Sequence, residues 1–160
     1  MSHLNEKEEL LSPREIEVWH AIKIIGEMAL SVVGHKIEAQ TRLSGADFGV
    51  LSRLVDLGNG EMSQRELSDS LGWEKSRLSH HLKRMEKRGL IKRYSETSSK
   101  GVSVMIEPAG KEAIALARPI HAAIVRKYVL QYVNADEKSA LLKFAEQLQA
   151  ESEKTGGKTF

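Results

Sequence analysis

The sequence predicts a mainly α fold in which two short helices, joined by a tight turn, run into a small β-hairpin with a long helix on either side. Three observations carry this expectation. Ser-x-x-acid capping signatures begin at Ser12, Ser44 and Ser63, the apolar period changes from helical to alternating after Gly89, and basic residues cluster on the second short helix and the strand after it.

Ser12-Pro13-Arg14-Glu15 offers a capping hydroxyl, a proline where its missing N–H costs nothing, and a glutamate to close the box. The helix it opens, from about Ser12 to Thr41, is apolar nearly all round: Ile16, Trp19, Ile22, Ile25, Met28, Val32, Val33 and Ile37 exceed one stripe. It must bury more than one face, one against its own core and the other against a partner subunit. Ser44-Gly45-Ala46-Asp47 opens a second helix through Phe48, Leu51, Leu54, Val55 and Leu57, closed by Gly58-Asn59-Gly60. Ser63-Gln64-Arg65-Glu66 starts a third, through Leu67 and Leu71 to Gly72, and Trp73-Glu74 leads into a fourth that runs to Arg88 and stops at Gly89. Ile91 to Tyr94, a polar stretch Ser95 to Gly101, and Val102, Val104 and Ile106 then read as a hairpin with a long tip. From Pro108 a helix is expected to about Val133, ended or kinked by Pro119 near Arg118, and a last helix from about Asp136 to Glu153, with a frayed tail from Thr155 to Phe160.

Composition narrows the function. The 160 residues are 41% hydrophobic and 29% charged, the balance of a globular domain, and 24 Lys plus Arg against 22 Asp plus Glu leave only +2. Affinity for an anionic polymer must therefore come from local clustering. With no cysteine there is no disulfide, thiolate metal site, catalytic Cys or cysteine-based redox sensing. The acidic start around Glu6, Glu8 and Glu9 does not read as a signal peptide, and no apolar run approaches a membrane span, so a cytoplasmic chain without a membrane partner is expected. Three Phe, three Tyr and two Trp are few for a surface that stacks single-stranded bases. GxSxG, Walker, dinucleotide and HExxH patterns are all lacking, which argues against an enzyme and against a cofactor. His80 and His81 are adjacent on a helix and point about 100° apart, and His3, His20, His35 and His121 show no ligand spacing, so no metal site is expected.

Between Glu74 and Arg93 lie eight bases (Lys75, Arg77, Lys83, Arg84, Lys87, Arg88, Lys92 and Arg93) and two acids, a net of +6 in a chain whose total is +2. Leu78, Leu82 and Met85 form an inward stripe, with His81 at its border as a packing residue, which leaves Ser76, Arg77, Ser79, His80, Lys83 and Arg84 mainly outside. Short donors and an arginine near the start of such a helix suit base edges in a major groove, while basic residues further along hold phosphates. Helix, turn, helix and basic hairpin together make a winged helix-turn-helix.

From about Ser12 to Leu148 the chain resembles the MarR family of transcriptional regulators. The matching pieces are Met62-Ser63-Gln64-Arg65-Glu66-Leu67, the run from Lys75 to Arg93, and the long flanking helices. The resemblance implies a homodimer on double-stranded DNA: one domain over 1–160, with helices 12–43 and 108–153 for dimerisation and 44–107 as the DNA-binding lobe. It implies base reading by Ser76, Arg77, Ser79 and His80, with Ser63, Gln64, Arg65, Lys75, Lys83, Arg84, Arg93 and Lys100 positioning the backbone. The wing departs from the family pattern, since Glu96, Ser98, Ser99, Lys100 and Gly101 stand where an Asp and Arg are usual, so weaker minor-groove reading is expected. The family also implies a small aromatic or carboxylated effector between the dimerisation helices and the lobe, where Trp19, His20, Arg42 and Phe48 are the candidates. Rival readings are a winged-helix module that binds an acidic protein, and a small-molecule sensor with weak DNA binding.

Overall fold

The structure is a computed structural model and describes residues 10–95 and 101–154. The elements run α1 (Pro13–Thr41), α2 (Gly45–Asp56), β1 (Glu61–Ser63), α3 (Gln64–Leu71), α4 (Lys75–Lys87), β2 (Ile91–Ser95), β3 (Val102–Ile106), α5 (Pro108–Tyr128), a short 3-10 turn (Leu130–Tyr132) and α6 (Ala135–Lys154). The mainly α winged helix-turn-helix is what the sequence predicts. The capping boxes at Ser12, Ser44 and Ser63 are all formed, each hydroxyl accepting the third helical N–H while the acid at that position takes the cap N–H. Wing-tip residues 96–100, including Lys100, and the tail expected to fray lie outside the described residues.

Two elements differ from expectation. β1 is a third strand; Glu61, Met62 and Ser63 pair antiparallel with Met105, Val104 and Ser103, giving the order β1-β3-β2. At three residues it is too short to show a period. Pro119 does not end its helix, for α5 runs through it to Tyr128. The ring removes one hydrogen bond, which alone would disfavour the helix, but Ile114, Ala117 and Ile124 bury on both sides of the break and hold it against the lobe.

The core joins Ile37 of α1, Val50, Leu51 and Leu54 of α2, Leu67 of α3, Leu78, Leu82 and Met85 of α4, and Val104 of β3, all with no exposed surface. Close backbone approach completes it. A Cβ on Gly110 would lie 2.2 Å from the Leu90 carbonyl oxygen, so only glycine lets the start of α5 meet the base of the wing. The amino-terminal part of α1 and the whole of α6 stand apart from this core: no residue of α6 is buried, and Ile37 is the one fully buried residue of α1.

Candidate nucleic-acid interface

The turn between α3 and α4 aims the second helix. Gly72 ends α3 at φ +64°, donating its N–H to Asp69 and Ser68, and the buried Ser68 hydroxyl donates to the Trp73 carbonyl at 2.6 Å. α4 then buries Leu78, His81, Leu82 and Met85, which leaves Lys75, Ser76, Arg77, His80, Lys83 and Arg84 exposed and Ser79 half-buried. The predicted outward face is therefore one continuous surface at the start and middle of α4.

Its basic residues are not equivalent. Arg77 lies with its guanidinium 4.3 Å from the centre of the Trp73 ring, a cation–π contact that orders it at the outer face. Arg84 is held by His81, with Nη2 2.9 Å from Nδ1. Arg93 is engaged elsewhere, its guanidinium 3.1 Å from Glu86 Oε2 and its backbone N–H donating to Oε1 at 2.9 Å. That backbone bond, then the guanidinium, outweigh desolvation and hold the Glu86 carboxyl below the usual carboxylate range. Arg93 thus ties β2 to α4. Ser63 likewise spends its hydroxyl on Glu66, at 2.7 Å. Gln64, Arg65 and Lys75 line one cleft with Val102, so the starts of α3 and α4 do converge beside the wing.

Arg88, grouped with the basic run, turns out to anchor the helix from behind. Its Nη1 donates to the buried Asp47 at 2.7 Å and its Nη2 to the Arg42 carbonyl at 2.9 Å, so the end of α4 is fastened to the junction of α1 and α2. Asp47 also faces His81 Nε2 at 3.0 Å. Burial by itself would raise the Asp47 carboxyl, but His81, Arg88 and the Ser44 backbone N–H together drive it far below the ordinary carboxylate range. Trp73 and Asp47 are the working residues that sequence reasoning missed. Trp73 stands four residues before Arg77, a spacing that hints at the stack, whereas nothing local links Asp47 to Arg88.

The candidate effector residues do not come together within one protomer. Trp19 and His20 are exposed on the first half of α1, roughly 35 Å along the helix from Arg42. Arg42 is the left-handed cap of α1 at φ 61°, and Phe48 stacks on His121 of α5 with centroids 4.1 Å apart. A cleft of about 440 Å³ opens instead between α1 and α5, lined by Gln40, Pro119, Ile120, Ala123, Ile124, Lys127 and Tyr128. Lys36 lies 4.0 Å from the Tyr128 ring centre, and Lys36 and Lys127 lower the phenol's proton affinity below the usual tyrosine range. Among the described residues no group of His, Cys, Asp or Glu is placed to hold a metal ion, and no helix is long and apolar enough to cross a membrane.

Comparison with known proteins supports this architecture. A family model described as winged helix-turn-helix DNA-binding matches residues 43–92, the stretch from the end of α1 into β2. The MarR family regulator AbsC from Streptomyces coelicolor superposes with a TM-score of 0.77 at 24% identity over 89% of this chain and 99% of its own. The chain has the MarR fold. Sco3205, a MarR family regulator from the same organism solved in complex with DNA, gives a TM-score of 0.82 at 21% identity over 90% of this chain and 91% of its own. The organohalide-sensing transcriptional regulator RdhR-CbdbA1625, solved with 2,4-dichlorophenol bound, superposes with a TM-score of 0.76 at 21% identity over 95% of this chain and 90% of its own. No protein of curated function matches the chain by sequence.

Proposed function

We propose that this chain is a MarR family transcriptional regulator, a homodimeric repressor that binds a palindromic operator in the cytoplasm and is released by a small molecule. The observation that carries the reading is the outer face of α4, where Ser76, Arg77 and His80 are exposed and Ser79 half-exposed at the helix start, backed by Lys83 and Arg84 and flanked by Arg65 and Lys75. A groove-reading helix needs donors at its first turns and phosphate contacts beside them. In this reading Lys100 adds a wing contact, and Gln64 and the α3 amino terminus meet the backbone.

Dimerisation is supported by the apolar residues that one protomer leaves open. Trp19, Ile25 and Met28 on α1 and Leu142 and Leu148 on α6 are each more than half exposed, a cost that a second copy removes. Two recognition helices related by a two-fold axis then meet half-sites about 10 base pairs apart. For the effector, the cleft between α1 and α5 has the size of a small-molecule site and a cationic rim suited to a carboxylate or phenolate. Trp19, His20, Arg42 and Phe48 contribute in this reading only as the second protomer brings α1 across.

The test is anisotropy on DNA enriched from a random pool, at two salt concentrations with unrelated competitor. A preference of about 1,000-fold or more with a steep salt dependence is expected. Arg77→Ala should remove about 1 to 3 kcal/mol of discrimination at a single base pair per half-site. Enrichment of no palindrome, or an Arg77→Ala protein with unchanged preference, overturns the assignment.

A further inference from the structure

His81 is a buried imidazole inside a helix whose outer face is otherwise polar, and its two nitrogens face opposite directions. Nδ1 lies 2.9 Å from Arg84 Nη2. A guanidinium has only donors, so Nδ1 accepts, and the ring proton of the neutral imidazole sits on Nε2. Nε2 in turn faces Asp47 Oδ1 at 3.0 Å, while the other carboxylate oxygen receives Arg88. The ring is wedged edge-on against Trp73, whose face carries Arg77. One side chain therefore connects the buried Asp47 of α2 to an arginine on the outer face of α4.

We propose that His81 is a positioning residue for DNA recognition: neutral, it holds the Arg84 guanidinium at the outer face of α4, and a proton on Nδ1 releases that guanidinium, so that specific binding weakens in acid. The inference rests on α4 being the recognition helix. The charged groups facing His81 are Asp47 from α2, Arg84 from its own helix, and Arg88 through the shared carboxylate. Protonation turns Nδ1 from acceptor to donor against a donor cation, while Asp47 favours the new charge. The imidazolium therefore stays in place and Arg84 is the group that moves. A freed arginine must be ordered again on binding, at a cost in affinity.

The experiment uses the full chain and DNA enriched from a random pool, measured at pH 8 and pH 5.5. In the wild type, specific over non-specific affinity should fall about fivefold at the lower pH, the worth of one hydrogen bond. His81→Gln keeps an amide oxygen for Arg84 and an amide N–H for Asp47 without titrating, and should lose less than about twofold. Arg84→Ala should cost about fivefold in the wild type and much less in His81→Leu, a non-additivity that a merely packed histidine would not produce. Independently of DNA, nitrogen NMR should show the neutral ring as the Nε2–H tautomer, with Nδ1 accepting from Arg84. Additive effects of His81→Leu and Arg84→Ala, or an Nδ1–H tautomer in the NMR, overturn the proposal while leaving DNA recognition intact. A pool that enriches no sequence overturns DNA recognition and this role with it, whatever the NMR shows of the pair.

Discussion

Asp47 shows how much one residue carries. It completes the capping box of α2, faces His81 and anchors Arg88, three tasks that join the start of α2 to two points on α4. Asp47→Asn keeps the shape but leaves Arg88 without a countercharge; as Arg88 is 43% exposed and can recover water, a loss of about 3 kcal/mol is expected, the low end for a broken buried pair. The Asp47 carboxyl is depressed in the folded state, so its contribution is complete well above the unfolded value of about 4 and fades as the pH falls through that range. Urea unfolding from pH 7 down to pH 3 should show a steeper loss in the wild type than in Asp47→Asn. Parallel profiles would mean that the network does not carry the acid sensitivity.

At the scale of elements, the α3–α4 turn decides where α4 points. Gly72 holds φ +64°, which an added Cβ disfavours, so Gly72→Ala should cost about 1 to 2 kcal/mol of stability. The same strain, relieved by opening the turn, should also weaken specific DNA binding more than non-specific binding. Thermal unfolding and competition anisotropy measure the two effects, and an alanine variant equal to wild type in both would remove the turn from the account. α5 teaches the complementary lesson, since Pro119 is a strong local stop and the helix still passes it. Packing of Ile114, Ala117 and Ile124 on the lobe outweighs one missing hydrogen bond.

The whole molecule has a folded lobe around one core and two helical arms whose apolar surface lies open. Ile25→Glu with Leu142→Glu should leave the lobe folded, since neither side chain is in the core, and convert the proposed dimer of twice 17.9 kDa into monomers in light scattering. Operator affinity should then drop about 100-fold or more, because the second half-site no longer gains from the first. A charged pair of variants that still dimerises would move the interface away from these arms.

The sequence by itself determined the helix starts, the hairpin and the basic face, because capping boxes, alternation and the Leu78, Leu82, Met85 stripe act within a turn or two of the chain. Ser76, Arg77, His80 and Lys83 were legible as outward-facing for the same reason. Only the tertiary structure decided β1, the passage of α5 through Pro119, and which arginines are free. Asp47 and Arg88 are 41 residues apart, and α1 meets Arg88 through a backbone carbonyl, a partner with no side-chain signature. Charge counting therefore treated Arg77, Arg88 and Arg93 alike, whereas the fold stacks the first on Trp73, buries the pairing of the second and spends the third on Glu86. Local hydrogen bonds are written into short stretches of residues; which charge meets which counter-charge is settled only when distant segments pack.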